Sequence, residues 1–242
     1  MKWIADTHCH TLASTHAYSS LTEVVHAAKE AGLFAVAITD HGYKMPGSPG
    51  TWYFRNLVVV PRVLDGVVVL RGAEANILDY QGTMDLPEED LKRLDWIVAS
   101  IHDNLMPNDE PATVEKCTEL WLRIAQDPKV NVIGHSGTEK YKYDYEKVIP
   151  IFGKNGKLVE INENSFSVRK GSIPNCAEIA AVCKRHGVPI VVNSDAHFHT
   201  AVGKFSRVEQ LLKEIDFPEK LIVNASVERF RQYLRDYTEV KL

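Results

Sequence analysis

Cysteine is scarce in this chain. There are four in 242 residues (Cys9, Cys117, Cys176 and Cys183), and no two share a CxxC spacing. Neither a zinc–thiolate site nor a disulfide framework is therefore expected, and the thiols read as buried and reduced. A basic excess is also missing: 28 Lys and Arg against 32 Asp and Glu give a net charge of −4. No bulk positive field draws in long nucleic acid or an anionic membrane, so any affinity for phosphate must be local. No apolar run approaches the length of a membrane span. Trp3-Ile4-Ala5 reads as the start of a strand, not as the apolar part of a leader, which gives the expectation of a cytoplasmic protein. Internal repeats and low-complexity stretches are absent as well. What remains is ordinary globular composition, 45% apolar and 25% charged, in a chain long enough to bury a core without staples.

The pattern that is present is cyclic. Short apolar runs at Lys2–Asp6, Phe34–Thr39, Val67–Arg71, Trp96–Ser100, Val130–Gly134, Lys157–Ile161 and Pro189–Asn193 predict seven strands. They are continuously apolar, as parallel strands buried on both faces are. Between and after them, helices are predicted at Leu21–Ala31, Pro111–Ala125, Asp144–Phe152, Asn175–His186, Ser206–Ile215 and Ser226–Tyr237. Ser20 and Glu23 form a capping-box pair ahead of the first, and Gly32 stops it. Strands alternating with helices, without a linker, predict one α/β domain over residues 1–242 built as a closed, barrel-like parallel sheet. Gly42–Gly66 breaks the cycle and reads as a long loop over one end, with room for a short helix.

In such a barrel the chemistry collects just past the C-terminal ends of the strands. Strand one delivers His8 and His10, which share a face by strand alternation, with His16 following. The next ends deliver Asp40 and His41, then Glu74, His102 and His135, and the last delivers Asp195 and His197. Only the sixth strand, ending Glu160-Ile161-Asn162, is read as giving no such group; Arg169 and Lys170 lie in its loop. Seven of the ten histidines fall at these ends. Crowded imidazoles are poor neighbours when protonated, and a metal resolves this because a ligating histidine is neutral. His8, His10, His16, His41, His102, His135 and His197, with Glu74 and Asp195, form a candidate ligand set for two or three cations. Glu74 is the natural bridge. Nitrogen and oxygen donors without thiolate suit zinc, manganese or iron. Zinc is taken as the first assignment. His26 and His186 read as helix-surface residues, His199 is ambiguous, and Cys9 belongs to the core.

Four segments, Asp6-Thr7-His8-Cys9-His10, Thr39-Asp40-His41-Gly42, Gly72-Ala73-Glu74-Ala75-Asn76 and Ser194-Asp195-Ala196-His197, resemble the PHP (polymerase and histidinol phosphatase) superfamily. The stretches from Thr11 through His16 to Ser19 and from Ser167 to Ser172 are similar to its stand-alone YcdX-like phosphatase branch. The resemblance spans essentially the whole chain. It implies a distorted (β/α)7 TIM-like barrel with a trinuclear metal centre. By that analogy His8, His10, Glu74 and Asp195 hold one metal. Glu74, His102 and His135 hold the second, and His16, His41 and His197 the third. Two departures touch the loops: His135-Ser136-Gly137 stands where the branch has His-Pro-Gly, and His102-Asp103-Asn104 where a His-Glu pair is expected.

Such a centre suits hydrolysis of a phosphate monoester of a small molecule by a metal-bridging hydroxide, with Glu74 and Asp195 holding the metals. Arg169 and Lys170 are the expected phosphate partners, with Arg62 on the long loop as a third. Asp40 and Asp103 are candidate acids for the leaving group, although Asp40 could instead only orient a ligand. Trp52 and Tyr53 could cover the substrate or simply pack. The competing readings are a phosphodiesterase or exonuclease on nucleic-acid ends, a non-catalytic metal-binding or polymerase-associated module, and an amidohydrolase. The last is disfavoured because no lysine follows strand four. Natural substrate and oligomeric state stay open.

Overall fold

The computed structural model describes all 242 residues. Its strands are β1 (Ala5–Cys9), β2 (Ala35–Ile38), β3 (Val63–Leu64), β4 (Val67–Ile77), β5 (Trp96–Ile101), β6 (Val132–Ile133), β7 (Leu158–Asn162) and β8 (Ile190–Asn193). Seven of them run parallel in the order β1-β2-β4-β5-β6-β7-β8, and β3 pairs antiparallel with the start of β4. The helices are α1 (Leu21–Glu30), α2 (Thr51–Asn56), α3 (Glu88–Leu91), α4 (Val114–Ile124), α5 (Tyr145–Lys154), α6 (Ser165–Val168), α7 (Ser172–His186), α8 (Ser206–Glu214) and α9 (Val227–Tyr237). The predicted capping box on α1 is present, with Ser20 and Glu23 each bonded to the other's backbone amide, and Gly32 follows the helix at φ 71°.

The fold is the expected α/β barrel, and β4 is where it is distorted. This strand runs 11 residues, well past the predicted Arg71. Its first half pairs with β2, from Ala35↔Val68 to Ile38↔Arg71; its second half pairs with β5, from Gly72↔Trp96 to Ile77↔Ile101. Gly72 sits at the exchange. A Cβ there would lie 2.6 Å from the Trp96 carbonyl oxygen and 3.1 Å from that of Ile38, so only glycine lets the three backbones approach. The segment expected as a loop, Gly42–Gly66, holds α2, a 3-10 turn and β3. Asp65 and Gly66, both at positive φ, make the two-residue hairpin that joins β3 to β4.

The barrel closes between β8 and β1 mainly through side chains, with one backbone bridge between Cys9 and Ala196. Asn193 Oδ1 accepts the Thr7 amide at 2.8 Å, and Asn224 Nδ2 donates to the carbonyls of Ala5 (2.8 Å) and Val192 (2.6 Å). Asp6 accepts from the amides of Ser194 and Gly203, and the His10 amide donates to the Ala196 carbonyl. Asp6 therefore ties the seam.

Along the inner face each strand starts apolar and ends polar. The rows run Val68-Leu70-Gly72-Glu74, Trp96-Val98-Ser100-His102, Leu158-Glu160-Asn162 and Val191-Asn193-Asp195. The lower, apolar layer packs on Phe230, Tyr233 and Leu234 of α9; Trp96 lies 6.0 Å from Phe230 and 5.7 Å from Tyr233 between ring centres. The C-terminal helix thus plugs the N-terminal end of the barrel. The opposite end is left polar and open.

Candidate metal centre

The first strand shows how local structure aims the histidines. Ala5 packs inside the barrel and Cys9 outside it, a parity that strict alternation forbids. The pairing of β1 with β2 shifts register between Asp6 and Cys9, which resets the alternation and turns His8 and His10 inward, ring centres 5.2 Å apart. Two other site residues occupy the left-handed backbone region that side chains other than glycine rarely enter, His135 at φ 26° and Asp195 at φ 55°.

Glu74 is the hub. Its Oε1 lies 2.8 Å from His135 Nε2 and 3.4 Å from both His8 Nε2 and His102 Nε2. Its Oε2 lies 2.7 Å from His41 Nδ1 and 3.5 Å from His10 Nε2. Asp195 Oδ1 stands 3.2 Å from His10 Nε2 and 3.6 Å from His8 Nε2. His41 Nε2 faces His16 Nε2 at 3.1 Å, and the His16 and His197 rings stack at 4.7 Å. Three sets of donor atoms each converge within 4.8 Å: His8, His10 and Glu74; His41, Glu74 and His102; His10, His41 and His197. The grouping gives His10 and His41 each to two sets, where the expected partition gave each to one.

These groups suit a divalent cation better than they suit one another. His8 Nε2, His10 Nε2, His41 Nδ1 and Glu74 Oε2 are buried with no hydrogen-bond partner; the 2.7 Å approach of His41 to Glu74 lacks hydrogen-bond geometry. The Nε2 of His135 faces both an acceptor, Glu74, and a donor, Arg169 Nη2 at 3.0 Å, and an imidazole nitrogen satisfies only one of these. Burial, with His41 close by, drives the His10 imidazole down to about 3, and burial likewise pushes His102 well below its ordinary range. For Glu74, burial alone would raise the carboxyl; His102, His8 and His41 overcome it and hold it well below the carboxylate range. His8 goes the other way: burial opposes its charge, but Glu160, Glu74 and Asp195 prevail and raise it. Neutral His10 and His102 beside the ionised Glu74 are in the protonation state in which such residues ligate metal, and a cation would displace the proton that the carboxylates favour on His8.

A cavity of about 510 Å³ opens above the hub, lined by His16, His41, Glu74, His102, Asp195 and His197 together with Met45, Asn104, Asn164, Val168 and Arg169. The Arg169 Nε is buried and without a partner.

Several expected residues lie elsewhere. Arg62 hydrogen-bonds the Val69 carbonyl and pairs with Asp95 at 2.8 Å, near the start of β4 and so at the far end of the barrel. Lys170, adjacent to Arg169, turns outward: its side chain is 93% exposed and 3.7 Å from Glu139. Asp40 is fully buried and accepts from the Thr11 amide and hydroxyl, Ser14 Oγ and the Tyr53 hydroxyl. With its lone pairs so engaged it props the first loop and is not a free acid. Asp103 pairs with Lys140 and Tyr141 at the surface. Trp52 points to solvent, while Tyr53 packs on Asp40. His26 is exposed, His186 pairs with Glu146, and His199 bonds Ser19 outside the cavity.

One residue was missed. Glu160 accepts from His8 Nδ1 at 2.8 Å and from the His135 amide at 2.7 Å, and Asn193 Nδ2 donates to it at 2.8 Å. The signal was available: two residues before Asn162 on an alternating strand, Glu160 had to face inward.

The PHP domain family matches residues 6–164. A probable phosphatase from Acetivibrio thermocellus is 47% identical over 97% of this chain and 96% of its own. Another from Caldicellulosiruptor saccharolyticus is 47% identical over 95% of each. Among solved structures, the histidinol phosphate phosphatase of Lactococcus lactis, complexed with zinc, L-histidinol and phosphate, superposes with a TM-score of 0.60 at 15% identity, covering 90% of this chain and 95% of that one. No helix here is long and apolar enough to cross a membrane.

Proposed function

Because the chain belongs to the PHP domain family, we propose that it is a metal-dependent phosphatase hydrolysing phosphate monoesters of a small molecule to alcohol and phosphate. The observation that carries this reading is the juxtaposition of Glu74, within 3.5 Å of five imidazoles, with the unpartnered Arg169 Nε in the same cavity. One half can hold cations and the other an anion. The named relatives and the zinc and phosphate of the Lactococcus lactis protein agree with it.

In this reading His8, His10, His16, His41, His102, His135 and His197, with Glu74 and Asp195, would hold three divalent cations, zinc first among them, with Glu74 as the shared ligand. Bound there, such cations supply Lewis acidity toward the phosphoryl oxygens and lower the proton affinity of water. The protein's own residues do the rest. Arg169 offers a directional guanidinium donor to a phosphoryl oxygen, an interaction about twice as strong as a neutral hydrogen bond. Glu160 fixes the His8 ring and the His135 backbone. The Asn104 and Asn164 amides line the mouth as neutral polar groups that can orient the ester. The buried floor keeps bulk water from the hub and strengthens each of these interactions.

The test is phosphate release from a panel of monoesters and from bis-p-nitrophenyl phosphate, with zinc or manganese added and a chelator control. Chelator-sensitive turnover of monoesters alone is expected. Preference for the diester would put nuclease chemistry in its place, and metal binding without turnover would make the chain a binding module.

A further inference from the structure

We propose that a second cavity beside the metal centre is the leaving-group subsite, and that it favours aryl phosphates carrying an additional negative charge. This rests on the phosphatase reading and adds the substrate class. The cavity, about 450 Å³, shares Asn164, Asp195 and His197 with the first as a common wall. The two cavities therefore adjoin, and a group esterified to a phosphate held by Arg169 in the first lies next to the second.

Two features define what it takes. Its walls include Tyr18 and Phe198, 68% and 45% exposed, so neither ring serves the core. The backbone that carries them is nevertheless held against the centre. The Tyr18 amide donates to the His197 carbonyl at 2.9 Å, and the His199 amide donates to Ser19 Oγ at 2.9 Å, which stitches the two carrying loops together. Exposed rings on a fixed frame, next to a polar centre, suit a flat apolar body with a polar tip. The second feature is charge. Glu163 is engaged by Arg207 Nε at 3.0 Å and by the Val208 amide at 2.9 Å, so that pair is internally neutral. Lys204, exposed on the same cavity, has no ion-pair partner. Its positive charge is left for the ligand.

The test uses the full chain loaded with zinc and three phosphonates that cannot be hydrolysed, titrated calorimetrically: methylphosphonate, phenylphosphonate and 4-carboxyphenylphosphonate. Phenylphosphonate is expected to bind about fivefold tighter than methylphosphonate, and the carboxylate to add about threefold. Tyr18→Ala and Phe198→Ala should shrink the first ratio, and Lys204→Ala should bring the second close to one. All three positions are exposed, so the variants should fold. Ratios near one in the unmodified protein, or unchanged in every variant, would overturn the subsite while the phosphatase reading stands. No binding of any phosphonate, together with no monoester turnover, would overturn both.

Discussion

Glu160 Oε1 accepts a hydrogen bond from His8 Nδ1 at 2.8 Å, both side chains fully buried, while Glu160 Oε2 accepts the backbone amide of His135 at 2.7 Å. One carboxylate on β7 thus sets the ring of a residue on β1 and the backbone of a residue after β6. Its replacement by the isosteric amide puts a donor where one of these donors now binds. Glu160→Gln should lower zinc affinity by about 10–100-fold, the usual cost of losing a partner behind a ligand. Competitive chelator titration reads this, with circular dichroism as the folding control. Unchanged affinity would mean that His8 is oriented by something else.

His8→Ala removes a ring at the centre but leaves the apolar lower layer of the barrel intact. Bound metal and phosphatase activity should fall together, the rate by at least about a hundredfold, given the several kcal/mol that metal ions contribute to such chemistry. Metal analysis and phosphate release on the folded variant check this. Full activity would remove His8 from the ligand set.

Arg169→Ala should spare metal content and weaken phosphate binding. A hydrogen bond to a charged group is worth about 1.5–3 kcal/mol, so KM for a monoester should rise on the order of tenfold or more. Arg169→Lys should recover only part of this, since the directional Nε is lost. Loss of metal in Arg169→Ala would show that the guanidinium supports His135 more than it binds substrate.

Without metal the protein should lose stability as pH falls. Burial holds His10 at about 3 and lowers His16, His102 and His135 as well. In the unfolded chain these groups titrate near about 6.5. Below that pH the unfolded state binds more protons, so acid favours unfolding. His8, whose pKa is raised, contributes stability below about 6.5 and opposes the trend, one group against four. The urea midpoint of chelated protein should therefore drop steadily from pH 7.5 to 5. Zinc should raise it most at pH 7.5, because protons compete for the same nitrogens. A flat profile would mean that the histidines are not buried as neutral groups.

Gly72→Ala tests the strand exchange. The added methyl meets two backbone carbonyls that cannot turn aside. Destabilisation of about 1–3 kcal/mol is expected, visible as a lower Tm, and because Glu74 lies two residues on, zinc affinity should fall as well. A neutral substitution would show that the barrel accommodates a wider gap between β2 and β5.

How far the sequence reaches can be judged residue by residue. Continuous apolar runs between helical periods were enough for a parallel barrel, because a strand covered on both faces has no use for alternation. The histidines and carboxylates past the strand ends were legible for a related reason: at that end of a barrel the side chains have no core to fill. The Asp65-Gly66 hairpin and inward-facing Glu160 were equally readable from turn chemistry and period two, though the expected loop and the apparently empty sixth strand hid them. Other features needed the tertiary structure. Nothing local separates Arg169 from Lys170, yet one enters the cavity and the other faces solvent. Arg62 carries the right charge but stands at the wrong end, beside Asp95. Asp40 has the right chemistry but is already engaged by Thr11, Ser14 and Tyr53. The register shift in β1 that turns His8 inward exists only against β2. Residue type and spacing determine which groups can reach the mouth of the barrel. Which of them keep a free lone pair or charge there depends on neighbours distant in the chain, and only the packed structure decides that.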